Sequence, residues 1–212
     1  MPSAFKKLGA ELIIVFLGVY GAFWVDNWRD DKAKEERTRQ VIETLRQDLA
    51  DQVHVGDLLV RAIDARLGEW EAAKSRGEMP APYVLRINRS ETAPMAAWEA
   101  VSRSAVVELL DPGLVFDLGF FYSESEGVGR KFLRYAEFTD AHVMPGLKRG
   151  NEWFYDPESG DLTAEFAAHM DRLRDFQSDT RELVAWARCL SDRLTPESGR
   201  LESCRPVGGW IP

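Results

Sequence analysis

An uncharged apolar segment near the start of the chain limits the possible folds more than any other feature. Residues 12–25, LIIVFLGVYGAFWV, carry no charge, and residues 8–10 lengthen the segment across a single acid, Glu11. A helix over residues 8–25 rises about 27 Å, close to the roughly 30 Å hydrocarbon core of a bilayer. Because the segment is apolar on all sides and a charged run follows at once, it predicts an uncleaved transmembrane helix rather than a buried core helix.

Aromatic residues cluster at the C-terminal boundary of this segment. Tyr20, Trp24 and Trp28 are predicted to form an interfacial belt, as is typical where a helix leaves the hydrocarbon. A cleaved signal peptide would need small residues at positions −3 and −1, and the nearest match, Tyr20-Gly21-Ala22, begins with a bulky tyrosine. We therefore predict that residues 1–28 are a transmembrane anchor.

Small residues occupy one face of the predicted anchor. Glu11, Val15, Gly18 and Ala22 share a helix face, and Gly18-x-x-x-Ala22 is a spacing that lets two helix backbones approach closely. This face predicts contact with another membrane helix, from a second copy of the chain or from a larger membrane complex. Glu11 itself has two interpretations. We favour an interfacial carboxylate paired with Lys7, and the alternative is a functional acid in a proton path or in the helix contact.

Two patterns disagree about the side of the membrane on which the rest of the chain lies. Five basic residues follow the apolar segment, whereas Lys6, Lys7 and the amino terminus precede it, and this count favours a cytoplasmic C-terminus. A short basic N-terminal segment is nevertheless typical of a signal anchor, and a cysteine pair favours an oxidising compartment. We predict a single-pass protein of the bacterial inner membrane with its C-terminal domain in the periplasm.

The segments that follow the anchor predict an all-α domain. Apolar residues recur between residues 42 and 70 with a period close to 3.6, so anchor, charged stalk and first bundle helix are expected to form one helix over residues 8–75. Gly56 is the weak point expected inside this helix, and Gly77 is expected to end it. Residues 29–76 are thus predicted to be the stalk and the first bundle helix.

Further helices are predicted over residues 94–110, 112–143 and 163–194. Thr92 is a plausible cap for the first of these. Asp111-Pro112 is a strong start signal for the second, with a pause expected at Gly127 and an end at Pro145. Four long amphipathic helices outside the membrane predict an antiparallel helix bundle, with residues 77–194 as its remainder and residues 195–212 as a tail.

Two cysteines, Cys189 and Cys204, lie close to the C-terminus. Their spacing fits no zinc or thioredoxin-like motif. They are either two unrelated thiols or one disulfide that ties the tail to the last helix. We predict the disulfide, because nothing else in the tail would hold it in place.

The sequence predicts no catalytic residue, metal ligand or cofactor site. A net charge of −8 without a dense basic patch argues against nucleic acid as a partner. His54, His142 and His169 are scattered and are expected on solvated helix surfaces. No serine lies in a G-x-S-x-G context. Three aromatic residues at positions 153–155 form either an exposed binding patch or, as we favour, a loop folded over the end of the bundle.

Two segments resemble a large group of uncharacterised bacterial single-span membrane-anchored proteins. They are ELIIVFLGVYGAFWVDNWRDDKAKEERTRQVIETLRQDL at residues 11–49 and AAWEAVSRSAVVELLDPGLVFDLGFFY at residues 96–122. The shared pattern is an acidic residue, an apolar helix with a central glycine, an Asn-Trp pair at its exit and a charged helical stretch. Leu45, Asp48 and Leu49 match the run that follows. The resemblance implies the membrane topology and no activity.

These observations predict a non-enzymatic, membrane-anchored helical interaction protein. Its expected partners are the lipid bilayer and either a second copy of itself or a larger inner-membrane assembly, of which it would be an accessory subunit. The alternative is a periplasmic sensory or small-ligand-binding module.

Overall fold

The chain is helical in the computed structural model, which describes the backbone of residues 2–86, 96–195 and 204 and the side chains of residues 16–86, 97–195 and 204. The α-helices are α1 (Pro2–Ser75), α2 (Ala96–Ser102), α3 (Pro112–Phe138), α4 (Met144–Gly146) and α5 (Ala164–Arg193). Within the described residues, β pairing is limited to one isolated bridge between Tyr155 and Leu162. The predicted all-α class is confirmed.

The chain divides into two compact units, Met1–Glu43 and Thr44–Pro212. The first unit is the N-terminal part of α1. Its charged stretch is solvated and held by pairs one turn apart, such as Lys32 with Glu35 at 3.0 Å. Such exposed pairs each add a few tenths of a kcal/mol, roughly, to helix stability. The prediction of one unbroken helix up to Ser75 is confirmed.

The end of α1 is set by Gly77, as predicted. Its φ of +79° lies in the left-handed region, which glycine adopts without the steric cost of a Cβ. The Gly77 amide donates to the carbonyl of Lys74 at 2.9 Å, and the Glu78 amide donates to that of Ala73 at 3.1 Å. These two bonds form the Schellman arrangement that satisfies the last carbonyls of a helix.

Gly56, expected to be a weak point of α1, is instead a place where α5 closely approaches α1. A Cβ built on Gly56 would clash with the Cγ2 atom of Val184. Valine is stiff at χ1, so its methyl group cannot move away easily. The glycine therefore allows close packing, and the helix continues through it.

The single helix predicted over residues 94–110 is wrong. α2 stops at Ser102, and a separate 3₁₀ helix covers Ala105–Leu109. Ser104 between them is extended, and its hydroxyl donates to the carbonyl of Val101 at 2.8 Å. Serine competes in this way for backbone groups that a continuous helix would use. The predicted cap, Thr92, lies outside the described residues.

The start of α3 matches the prediction. The Asp111 carboxylate accepts a hydrogen bond from the Leu114 amide at 2.8 Å, with Pro112 in the first turn. The predicted pause at Gly127 is wrong, because α3 continues unbroken to Phe138.

The helical path also passes Pro145, where an end was predicted. A π-helical turn, Thr139–Val143, follows α3 directly, and the Met144 amide bonds to the carbonyl of Thr139. This wider turn makes room for the proline ring, which would clash with a carbonyl in a regular α-helix. The path ends only at Gly150, whose φ is +98°.

Three long helices form the bundle of the second unit, and their directions differ from the predicted antiparallel arrangement. α5 runs antiparallel to the C-terminal half of α1 and also to α3, so α1 and α3 are parallel. The ion pairs that fix these directions are Arg174–Glu71, Arg188–Asp57, Lys131–Asp179 and Arg193–Asp117. A parallel pair requires the connection between α1 and α3 to return along the bundle. This connection contains α2 and the first 3₁₀ helix in place of a fourth long helix.

The described part of the bundle core includes two apolar clusters. One is built by Ile63, Leu67, Leu85, Val128, Tyr135, Met170, Leu173 and Phe176. The other, near the π-helical turn, contains Val143, Phe154, Tyr155 and Phe166. Phe154 and Tyr155 are buried here, so the interpretation of residues 153–155 as a loop folded over the bundle is confirmed for these two residues.

Candidate functional site: an open helix face and a buried aromatic end

The face of α1 that carries Gly18 and Ala22 is open. A Cβ built on Gly18 or on Gly21 would meet nothing within 4 Å. In an α-helix Gly18 and Ala22 point about 40° apart, so the two residues form one narrow strip of small side chains. A second helix could approach this strip until the two backbones are nearly in contact.

A stripe of large aromatic residues covers another side of the same helix. Phe16, Tyr20, Trp24 and Trp28 recur every four residues, and the rings of Phe16 and Tyr20 stack at 6.1 Å. Each is more than half exposed, with Trp24 at 69%. Helical geometry directs Phe16 and Tyr20 about 160° away from Gly18. The segment therefore has a small-residue side and, opposite Gly18, a bulky side formed by Phe16 and Tyr20, while Trp24 and Trp28 point about 120° and 80° from Gly18.

Within the described residues, no helix contains an 18-residue stretch apolar enough to cross a membrane. Described side chains in α1 begin at Phe16. The side chains of Glu11, Val15 and residues 12–14, which belong to the predicted span, lie outside the described residues.

The two cysteines meet beside a buried ion pair. Cys189 on α5 and Cys204 form a disulfide with an S–S distance of 2.05 Å. The Cys204 amide donates to the Asp117 carboxylate at 3.1 Å, and Arg193 contacts the same carboxylate at 2.5 Å. The Asp117 and Arg193 side chains are only 4% and 5% exposed. The position of Cys204 is thus tied covalently to α5 and through a hydrogen bond to α3.

Sequence reasoning missed this ion pair. A weak signal was present, because Asp117 interrupts the apolar run LVFDLGFF on a predicted helix. A charge in such a run needs a buried partner, but the run does not identify which of many basic residues provides it.

A second buried polar contact joins α3 to α1. The Tyr122 hydroxyl donates to the Asp48 carboxylate at 2.6 Å, and the Gln52 side-chain amide donates to the same carboxylate at 2.8 Å. Trp98 of α2 stacks on Tyr122 at 5.6 Å. Burial and the adjacent Asp48 carboxylate raise the pKa of Tyr122 far above its usual value, so the phenol remains a donor. We interpret this contact as structural.

His169 lies inside the bundle, contrary to the expected solvated position. Its position on the apolar face of α5, between Phe166 and Leu173, buries it completely. The imidazole stacks on Tyr135 at 4.5 Å and on Phe138 at 5.3 Å. His142 and His54 are on the surface, as expected. His142 also stacks on Phe138, at 4.6 Å.

Neither imidazole nitrogen of His169 makes a hydrogen bond to a described group. Burial lowers the pKa of His169 to about 4, since a charged ring could not be hydrated there. The nearby carbonyl of Tyr83 favours the protonated form but offsets burial only in part, and Arg172 disfavours it. His169 is therefore neutral at physiological pH.

Two tyrosines next to this ring stack hold residues 80–86. Tyr135 donates its hydroxyl to the Tyr83 carbonyl at 3.0 Å and accepts the Leu85 amide at 3.0 Å. Tyr155 donates to the carbonyl of Pro80 at 2.6 Å. Burial raises the pKa of both Tyr135 and Tyr155 to about 12, so both hydroxyls keep their protons.

An open groove of about 540 Å³ lies between residues 80–86 and α1. Its α1 side is formed by Arg66, Glu69, Trp70 and Ala73. Among the described residues, no group of three or more His, Cys, Asp or Glu side chains is placed to hold a metal ion. The groove offers apolar and aromatic contacts together with the charges of Arg66, Glu69 and Arg86.

No protein-family model, curated protein or solved structure matches this chain. Any function must accordingly be argued from its own side chains.

Proposed function

We propose that this chain is a non-enzymatic helical interaction protein, anchored in a membrane by the N-terminal part of α1. The observation that carries the proposal is the exposure of large apolar side chains on several sides of α1 between Phe16 and Trp28. In water this much exposed apolar surface on one helix would be unfavourable, whereas a bilayer accommodates it. The uncharged residues 12–15 extend the same apolar segment.

The proposed partner surface is the small-residue strip containing Gly18 and Ala22. Lipid-embedded helices gain little hydrophobic energy by meeting, so they associate through close van der Waals contact. The aromatic stripe on the opposite side is suited to lipid and to the headgroup boundary. We infer that the strip contacts a second copy of α1 or a helix of a larger inner-membrane complex.

Bulky replacement of Gly18 should test this proposal. Gly18→Leu is expected to abolish or strongly reduce association, because a large side chain at the crossing point separates the two backbones. Membrane insertion should be unchanged, since leucine is at least as compatible with lipid as glycine. Chemical cross-linking in native membranes, followed by co-purification, measures both association with itself and association with other proteins.

Two matched variants provide the controls. Phe16→Leu changes the aromatic side of the helix, about 160° from Gly18, and should leave association intact. Gly21→Leu, about 60° from Gly18, should have an intermediate effect. Equal association in all three variants would mean that the small residues do not form the contact, and the partner surface would have to lie elsewhere.

We further propose that the C-terminal domain lies in the periplasm of a bacterial inner membrane. A disulfide between Cys189 and Cys204 supports this side, because disulfides persist in oxidising compartments. A reporter that functions only in the periplasm, fused after Pro212, should be active. The opposite result, with activity only from a reporter that requires the cytoplasm, would reverse the topology.

A further inference from the structure

Four rings form a continuous stack at one end of the bundle, in the order His142, Phe138, His169 and Tyr135. The three successive centroid distances are 4.6, 5.3 and 4.5 Å, with interplanar angles of 20°, 24° and 12°. Within this stack, His169 is the ring whose two nitrogen atoms are both buried and make no hydrogen bond to a described group. The last ring of the stack, Tyr135, makes hydrogen bonds through its hydroxyl. Because the His169 and Tyr135 rings are in contact, a displacement of His169 directly affects the position of Tyr135.

The surroundings of His169 stabilise only its neutral form. From α3 it faces the Tyr135 phenol and the Phe138 ring, and from residues 80–86 it faces the Tyr83 carbonyl. On α5 itself, Arg172 lies over Phe138 at 5.1 Å and opposes a second positive charge. The α1 side chains that pack in the same cluster as Tyr135 are apolar.

The Glu165 carboxylate contacts a member of this stack. It lies 3.2 Å from His142 Nδ1. Both members of that pair are half exposed, so solvent screens their charges. Burial acts on the pKa of His169 together with the Tyr83 carbonyl and Arg172, and no described carboxylate is among the groups that act on it.

We propose that this ring stack is a pH-sensitive latch, closed at neutral pH and opened in acid, which holds residues 80–86 against the bundle and so keeps one wall of the groove beside α1 in place. Protonated His169 must be hydrated, and hydration requires the ring to leave its position between Tyr135 and Phe138. Movement of Tyr135 breaks its bonds to Tyr83 and Leu85. These residues belong to the segment that forms one wall of the groove.

The direction and size of the pH effect follow from the pKa of His169 in the closed and open states. Its pKa is about 4 in the closed state, whereas opening exposes the ring and restores the ordinary value of 6.5. The open state therefore binds a proton more readily, and the closed state loses stability as pH falls from about 6.5 towards 4. Between pH 7.5 and pH 5 the population of the open state should rise roughly 30-fold. The latch depends on the second unit alone and does not require the membrane anchor.

Hydrogen–deuterium exchange of the full-length chain tests the proposal. Amide exchange rates are measured at pH 7.5 and at pH 5, and they are then corrected for the intrinsic pH dependence of exchange. A peptide covering residues 80–86, which contains the Leu85 amide bonded to Tyr135, should exchange roughly 30-fold faster at the lower pH. A peptide from the middle of α5 should show no comparable change. Equal corrected rates at the two pH values in residues 80–86 would overturn the proposal.

Three variants identify the responsible group. His169→Phe keeps an aromatic ring in the stack and should remove the pH response. If its helical circular dichroism signal is lost, His169→Gln, neutral at both pH values, serves in its place. His142→Gln should respond like the wild type. A response that persists without His169, or that disappears with His142→Gln, would assign it to another group and refute the latch.

Discussion

Replacing Arg193 with methionine should lower the free energy of unfolding by about 3–5 kcal/mol, because it removes the guanidinium that contacts the buried Asp117 carboxylate. The Asp117 carboxylate, 3% exposed as a residue, would remain inside the bundle after losing the guanidinium. Methionine preserves most of the apolar stem of arginine. The loss of unfolding free energy therefore reports the removal of the guanidinium charge rather than a change in packing. Urea unfolding followed by circular dichroism gives the value.

Arg188 on the same helix provides the matched control. It pairs with Asp57, but its side chain is 54% exposed, so Arg188→Met should cost less than about 1 kcal/mol. The double variant Asp117→Asn with Arg193→Met should recover much of the lost stability, since the amide oxygen can still accept the Cys204 amide. Similar losses of unfolding free energy in Arg193→Met and Arg188→Met would show that burial does not make the Arg193–Asp117 pair more important for stability than the Arg188–Asp57 pair.

Local signals in the sequence were sufficient for the three long helices. Gly77 at the end of α1 and Asp111 at the start of α3 act on backbone groups only a few residues away, so a single sequence predicts their effects. The apolar period in α5 likewise located its core side. The same reasoning predicted that Gly56 would weaken α1. The glycine instead makes room for Val184, which lies on another helix and could not be identified from local sequence.

Features that depend on distant residues were not predictable in this way. The parallel direction of α1 and α3 depends on how the connection between them returns along the bundle. The partner of Asp117 is 76 residues away in Arg193. His169 seemed solvated because histidine is usually exposed, although its spacing from Phe166 and Leu173 placed it on the core side of α5. Periodicity was the better guide at this position.

Removing the disulfide should have the second large effect. The bridge closes a loop with a sequence separation of 15 residues, and a loop of that size is worth about 3 kcal/mol in the chain-entropy description. The free energy of unfolding of the variant with Cys189→Ala and Cys204→Ala should therefore be lower by about that amount, which urea unfolding measures. It should also weaken the bond between the residue 204 amide and Asp117, because nothing covalent would then hold residue 204 beside α3.

Comparison of the oxidised and reduced wild type distinguishes the effect of the disulfide bond from the effect of replacing the two cysteine side chains. Reduced wild type should be as unstable as the double alanine variant, while oxidised wild type should be more stable than both. Thiol labelling of denatured, unreduced protein from native membranes should find no free cysteine. Labelling of both cysteines would contradict the bridge in the cell. It would also weaken the periplasmic topology, because the same oxidising compartment is needed for the disulfide and for the proposed position of the domain.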